Sequence, residues 1–144
     1  MVAEIRPVSR LDVQRFAVAC GFSDPVHHEV AAARAAGYPD LLAPRYFFVS
    51  LGLSLGRTRL RSDLGAEGLP LDDDLSGRRV VAGETEIRWL SDIFAGDTIT
   101  VTQRLVDVSR KAGRSGMLEM FRYERTYERD SHLVVHETFV RIAR

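Results

Sequence analysis

An α+β fold is predicted for this chain, with a long curved antiparallel sheet closed around one apolar helix. Three observations predict it. Residues 45–56 are apolar on nearly every helical face, so a helix there must be enclosed by other structure. From Val80 onward the apolar period changes from helical spacing to two, the period of a strand. Short turn sequences join these later segments, and strands joined that tightly run antiparallel.

The elements follow in order. Ser9 can cap a first helix, and Asp12 completes an acidic variant of the capping box. Leu11, Val13, Phe16, Ala17 and Cys20 then recur at helical spacing, with Cys20 read as a small core residue and Gly21 as the C-terminal stop. Residues 29–36 are alanine-rich and predict a short second helix ended by Gly37, after which Pro39-Asp40 turns the chain. In the helix over 45–56, Phe47, Phe48, Val49, Leu51, Leu53 and Leu55 leave little but Ser50 and Ser54 as polar relief. Residues 58–79 lack periodicity and read as a solvated loop. Its Asp72-Asp73-Asp74 run has no spaced ligand set, so no metal site is expected.

In the second half, Val81, Thr85, Ile87 and Trp89 are placed on one side of a first strand, with Glu84, Glu86 and Arg88 on the other. Ala95-Gly96-Asp97 makes a turn. Ile99, Val101 and Leu105 share the next strand's face until Val106 and Val108 change phase, which predicts a bulge. Met117, Phe121, Tyr123 and Tyr127 mark a third strand, and Arg129-Asp130-Ser131 turns it into a last one over 133–142.

The 144 residues suit one domain, 1–144. Acidic and basic residues balance to zero net charge, which gives no whole-chain electrostatic case for a nucleic-acid or acidic-membrane partner. Cys20 is the one cysteine, so an intrachain disulfide is excluded and a reducing, cytoplasmic setting is expected. The first ten residues have no apolar core, unlike a signal peptide, and no apolar run approaches the ~20 residues that span a bilayer.

Gly21-Phe22-Ser23-Asp24-Pro25-Val26-His27-His28, closed by Gly37 and by Leu41-Leu42-Ala43-Pro44, resembles the Gly-Asp-x-Asn-Pro-x-His hydratase motif of MaoC-like hot-dog proteins. Four further segments are similar to that family, and they stand in its order. They are Ala43-Pro44 at the helix start, the strand from Val80 to Glu86, Ile93-Phe94-Ala95-Gly96-Asp97-Thr98-Ile99, and Arg110-Lys111-Ala112-Gly113-Arg114-Ser115-Gly116-Met117. The resemblance implies a single hot-dog domain, of the N-terminal MaoC-dehydratase type, that assembles as a homodimer or as a heterodimer with a MaoC-like subunit. It also implies (R)-type hydration of an enoyl-coenzyme A, or dehydration of a 3-hydroxyacyl thioester of coenzyme A or acyl carrier protein, with no further cofactor. A base and an acid on one side of the substrate carry that chemistry.

On this motif His27 falls on the catalytic histidine, while Phe22 falls where the carboxylate belongs. Asp24 takes the asparagine position. In an extended loop it is displaced roughly 6.6 Å from position 22, so it can replace the base only if the loop is rebuilt. Asp24 before Pro25 also suits an Asx-type turn, and His27 can be a polar loop residue bonded to nearby backbone. Phe22 is either an acyl-pocket wall or a core aromatic. Pro44 has no N–H, so an oxyanion donor has to come from Arg45 or Tyr46. His28, His132 and His136 are expected at the surface or at an edge.

Three readings result: a hydratase using His27 and Asp24, a non-catalytic acyl-binding subunit that completes a partner's site, and a hot-dog thioesterase.

Overall fold

The computed structural model describes residues 1–52, 75 and 78–144. The last turn expected of the central helix (53–56) and the Asp72–Asp74 run lie outside the described residues.

A first strand, β1 (Val2–Pro7), precedes helix α1 (Arg10–Cys20). A 3₁₀ turn at Pro25–His27 leads to α2 (Val30–Ala35), and a second one at Arg45–Phe47 leads to α3 (Phe48–Gly52). Four long strands follow: β2 (Val80–Trp89), β3 (Thr98–Gly113), β4 (Gly116–Arg129) and β5 (His132–Ala143). They form one sheet in the order β1-β3-β4-β5-β2, with every neighbouring pair antiparallel. This is the predicted α+β hot-dog arrangement, with the central helical segment against the sheet's inner face.

Cross-strand partners share a face, so the register defines that inner face. It carries the rows Val101–Tyr127–Val135 and Leu105–Tyr123–Phe139 across β3, β4 and β5. Phe47, Phe48 and Leu51 are buried against it, and the Phe48 ring stands edge-on to Tyr127 at 5.1 Å between centroids. Burial of Phe48, Leu51 and Gly52 fixes the described part of α3 against the sheet. Full burial of a side chain like Phe48 contributes about 1.5–3 kcal/mol.

Between those two apolar rows runs a polar one, Gln103–Arg125–Glu137. Arg125 donates to Gln103 Oε1 (3.0 Å from Nε) and to Glu137 Oε2 (3.3 Å from Nη1). The Tyr127 hydroxyl donates to the same Glu137 oxygen at 3.3 Å, and burial pushes that phenol's pKa up. Gly52 lies directly over the cluster. A Cβ at that position would stand 2.5 Å from the Tyr127 hydroxyl and 2.7 Å from Arg125 Nη1.

Several expectations hold in detail. Ser9 and Asp12 form the reciprocal capping box, and Gly21 closes α1 in the left-handed region at φ 78°. The register shifts between Leu105 and Asp107, so the extra residue Val106 keeps Leu105 and Val108 on one face. Asp130 and Ser131 both have positive φ, as a two-residue hairpin of the sheet's twist requires.

Others are corrected. Val81 does not share a face with Thr85, Ile87 and Trp89, because a shift between Ala82 and Thr85 turns it outward beside Ile142. Cys20 and Leu11 are exposed rather than core, since α1 buries only the stripe through Val13 and Ala17. Strand β1 carries no apolar pattern to announce it. It is an edge strand, with an ion pair between Glu4 and Arg6 and with Ile5 70% exposed, and its pairing to β3 rather than burial orders it.

Candidate functional site

The loop after α1 is built by backbone chemistry before any side chain matters. Phe22 N–H bonds Ala17 O at 2.8 Å and Gly21 N–H bonds Val18 O at 3.2 Å, the paired closure of a Schellman motif. Position 22 is therefore set by the glycine that ends the helix. Asp24 next caps the 3₁₀ turn, its Oδ1 accepting from Val26 N–H at 3.1 Å, and Pro25 occupies the first helical position where no N–H is needed. The Asx-type turn expected from Asp24-Pro25 is thus present. His27 stands at the end of this turn.

His27 is buried at 9% exposure. Its Nδ1 lies 2.6 Å from the carbonyl oxygen of Leu42. A carbonyl only accepts, so Nδ1 carries the hydrogen and Nε2 of the neutral ring keeps its lone pair. Leu42 is itself anchored, with its N–H bonded to Val26 O at 3.0 Å. The imidazole is consequently held to the segment that leads through Ala43 and Pro44 into Arg45 and Tyr46. That segment is secured from the far side by Trp89, whose Nε1 donates to Arg45 O at 3.0 Å. The Arg45 guanidinium lies over the Trp89 ring, 5.5 Å from its centroid.

The structure brings Phe22 and His27 together. Their rings meet edge to face with centroids 5.9 Å apart, and Phe22 is 41% exposed, so it is not the core aromatic that its size suggested. Asp24 is not joined to His27 through its side chain. Its carboxylate is committed to the Val26 N–H, and the link between the two residues is the backbone bond from His27 N–H to Asp24 O at 3.1 Å. Among the described residues no carboxylate bonds His27, and no cluster of His, Cys, Asp and Glu could hold a metal ion.

Two roles were not foreseen. His28 is half-buried rather than free, and its Nε2 donates to Phe22 O at 2.7 Å, which fixes the loop from the outside. His136 is on β5 inside the sheet, not at an edge, and its Nε2 lies 2.9 Å from Glu124 Oε1. Tyr46 is 52% exposed and its ring stands edge-on to Trp89. A cavity of about 560 Å³ opens between β1, α1 and α3, where Arg15, Phe16, Phe47 and Leu51 contribute to its wall; His27 and Phe22 do not.

A curved sheet around an apolar helix, with a histidine at the end of a Pro-led turn, defines the MaoC-like hot-dog class. Within it, residues 3–137 match the family model of the FAS1-like dehydratase domain region, and the chain belongs to that family. A UPF0336 protein of Clavibacter michiganensis is 35% identical over 108 residues, 75% of this chain and 67% of its own length. Across the UPF0336 relatives, the match spans 63–68% of their length. Two solved structures from Mycobacterium tuberculosis share the fold. The ChsH1–ChsH2 complex does so at TM-score 0.73 and 23% identity, covering 99% of this chain and 86% of that one. The C-terminally truncated HadBC (3R-hydroxyacyl-ACP dehydratase) complex does so at TM-score 0.71 and 19% identity, covering 96% and 90%. Among the described residues no helix is long and apolar enough to cross a membrane.

Proposed function

We propose that this chain works in an acyl-thioester hydratase/dehydratase as the acyl-binding subunit, paired with a MaoC-like partner that supplies the acid–base chemistry. The observation that carries this reading is the Phe22–His27 pair. Where the motif places a carboxylate there is a phenyl ring 5.9 Å from the imidazole, and a phenyl ring moves no proton. Asp24 is not placed as its substitute, because its Oδ1 accepts from Val26 N–H in the cap of the turn and no side-chain bond joins it to His27 among the described residues. The large cavity bypasses His27, which suits a thioester site that is completed at a subunit boundary. Two structural neighbours of this fold are themselves two-protein complexes, HadBC and ChsH1–ChsH2.

In this reading the substrate is an enoyl or 3-hydroxyacyl thioester of coenzyme A or an acyl carrier protein. The subunit needs no metal or prosthetic group, and it resides in the cytoplasm. Phe22, Arg45 and Tyr46 present exposed aromatic and cationic surface to the acyl-thioester or to the partner's site.

The retained imidazole favours a second reading. Its Nε2 is a base in the correct tautomer, so the chain could hydrate an enoyl thioester alone if Asp24 left its cap and supplied the second group. One assay separates the readings. The purified chain is mixed with a short enoyl-coenzyme A, and loss of the conjugated thioester's ultraviolet absorbance is followed with and without a partner carrying an intact Gly-Asp-x-Asn-Pro-x-His. Turnover only in the mixture, above that of the partner alone, is expected. Turnover by the chain alone supports the second reading, and release of free thiol marks a thioesterase instead.

A further inference from the structure

The convex face of the sheet, away from the helix, is polar over most of its area but not at one end. There Val81 on β2, Ile142 on β5 and Met120 on β4 are cross-strand partners in one row, and Leu118 extends the row along β4. Val81 is 49% exposed and the other three are partly exposed, so the patch is not covered by the described chain. A cleft of about 200 Å³ opens over it, walled by Val81, Leu118, Ile142, Arg79 and Arg144.

Cations predominate around this patch. Arg79 and Arg144 stand at its β2–β5 end, Lys111 faces out beside Leu118, and Arg122 follows Met120 along β4. Among the described residues none of these four exposed cations is in an ion pair, although Arg6, Arg10, Arg78, Arg104, Arg110 and Arg129 all are. In a chain of zero net charge, four cations around one apolar surface with a single facing carboxylate on β3 are a local excess of positive charge. Asp107, the cross-strand partner of Arg122, is the acidic residue facing this end from β3.

We propose that this end of the convex face docks an acidic amphipathic segment of a partner protein. The cleft is smaller than the ~300–1,000 Å³ of ordinary small-molecule sites, and it suits one or two anchoring aliphatic side chains. The cation rim calls for Asp and Glu on either side of those anchors. A second copy of this chain is the wrong occupant, because a two-fold contact would set four cations against four. The patch is also separate from the His27 loop. Val81 lies eight residues along β2 from Trp89, roughly 25 Å away at a strand's rise, on the opposite face of the sheet.

The test uses the full chain and a fluorescein-labelled helical peptide with Leu anchors flanked by Glu. Three companion peptides are run beside it: one with Glu replaced by Lys, one with Leu replaced by Ser, and a scrambled one. The Glu/Leu peptide is expected to bind with salt-sensitive affinity, at least tenfold tighter than each companion. The double variant Arg79→Glu/Arg144→Glu should lose that binding tenfold or more and gain affinity for the Lys peptide. Ile142→Ser should weaken it while circular dichroism and melting temperature stay near the parent's. Equal binding of acidic and basic peptides would overturn the proposal. So would concentration-dependent self-association that the same substitutions abolish, since the patch would then be a contact between copies.

Discussion

The imidazole of His27 and the backbone of Leu42 are clamped together, Nδ1 to carbonyl oxygen at 2.6 Å, with Leu42 N–H returned to Val26 at 3.0 Å. This clamp joins the motif loop to the strip that enters the central helix, so His27 has a structural duty whether or not it moves a proton. His27→Ala deletes the donor and leaves a carbonyl in an enclosed site without its partner. A loss of about 1–3 kcal/mol is expected for that change, read as a lower denaturant midpoint in chemical unfolding. An unchanged midpoint would show that water reaches Leu42 O and that the clamp is not structural.

A carboxylate at position 22 tests the proposed subunit role. Phe22 is 41% exposed and its backbone is fixed by the helix stop, so Phe22→Asp should fold with little loss of stability. The new carboxylate would share a loop with an imidazole whose Nε2 is already the lone-pair nitrogen. Hydration of enoyl-coenzyme A by the chain alone should rise at least tenfold over the parent's background, a modest share of the ~10²–10⁴ that a positioned acid or base contributes. No rise in a folded variant would mean that the rest of the site is also lacking.

Asp40 ties α1 to the loop after α2. Arg10 donates to both of its oxygens, at 3.0 and 2.8 Å, and Leu41 N–H donates at 2.8 Å. The Arg10 hydrogen bond chiefly holds this carboxyl's pKa down at about 2, with the Leu41 N–H also lowering it. A folded pKa below the unfolded value of ~3.9 gives stability that is complete above the unfolded value and lost as pH falls through the folded one. Asp40→Asn should therefore melt lower than the parent by a constant margin above about pH 5. That margin should close between about pH 4 and 2, followed by melting at fixed ionic strength. Because Arg10 is exposed, 0.5 M salt should narrow it.

Gly52 cannot grow a side chain where it stands. A methyl group would sit 2.5 Å from the Tyr127 hydroxyl and 2.7 Å from Arg125 Nη1, so Gly52→Ala should cost about 1–3 kcal/mol by forcing both apart. Tyr127→Phe removes one obstacle, and the double variant should be less destabilised than the sum of the two changes. Arg125→Ala should cost more, about 3–5 kcal/mol, because it leaves Glu137 charged and buried without its cation. Simple additivity in the Gly52/Tyr127 cycle would show that the two groups do not compete for space.

The legible elements were those whose signal is local. Ser9, Asp12 and Gly21 announce α1 because caps are made within a few residues of themselves. The β3 bulge was readable at Val106 because two apolar runs collide in phase there. Strand β1 was not legible, since an edge strand of alternating charge is ordered by pairing to β3 and buries little. Val81 was misplaced because the bulge in its own strand reverses its direction without any change in composition. In the site, His27 was picked out by the resemblance of Gly21–His28 to the hydratase motif. The pairing of its Nδ1 with Leu42, fifteen positions away, could not be picked out.

Sequence alone was enough to settle the α+β class, the helix stops and the hairpin turns, for these depend on residue identity and on period. The tertiary structure decided where each group's hydrogen bonds go. It committed Asp24 to Val26 and His27 to Leu42, and it set Arg125 between Gln103 and Glu137 beneath Gly52. The reason is that a buried polar atom must find a partner wherever the fold brings one within about 3 Å. That partner is fixed by register and loop closure, which no stretch of sequence shorter than the fold contains.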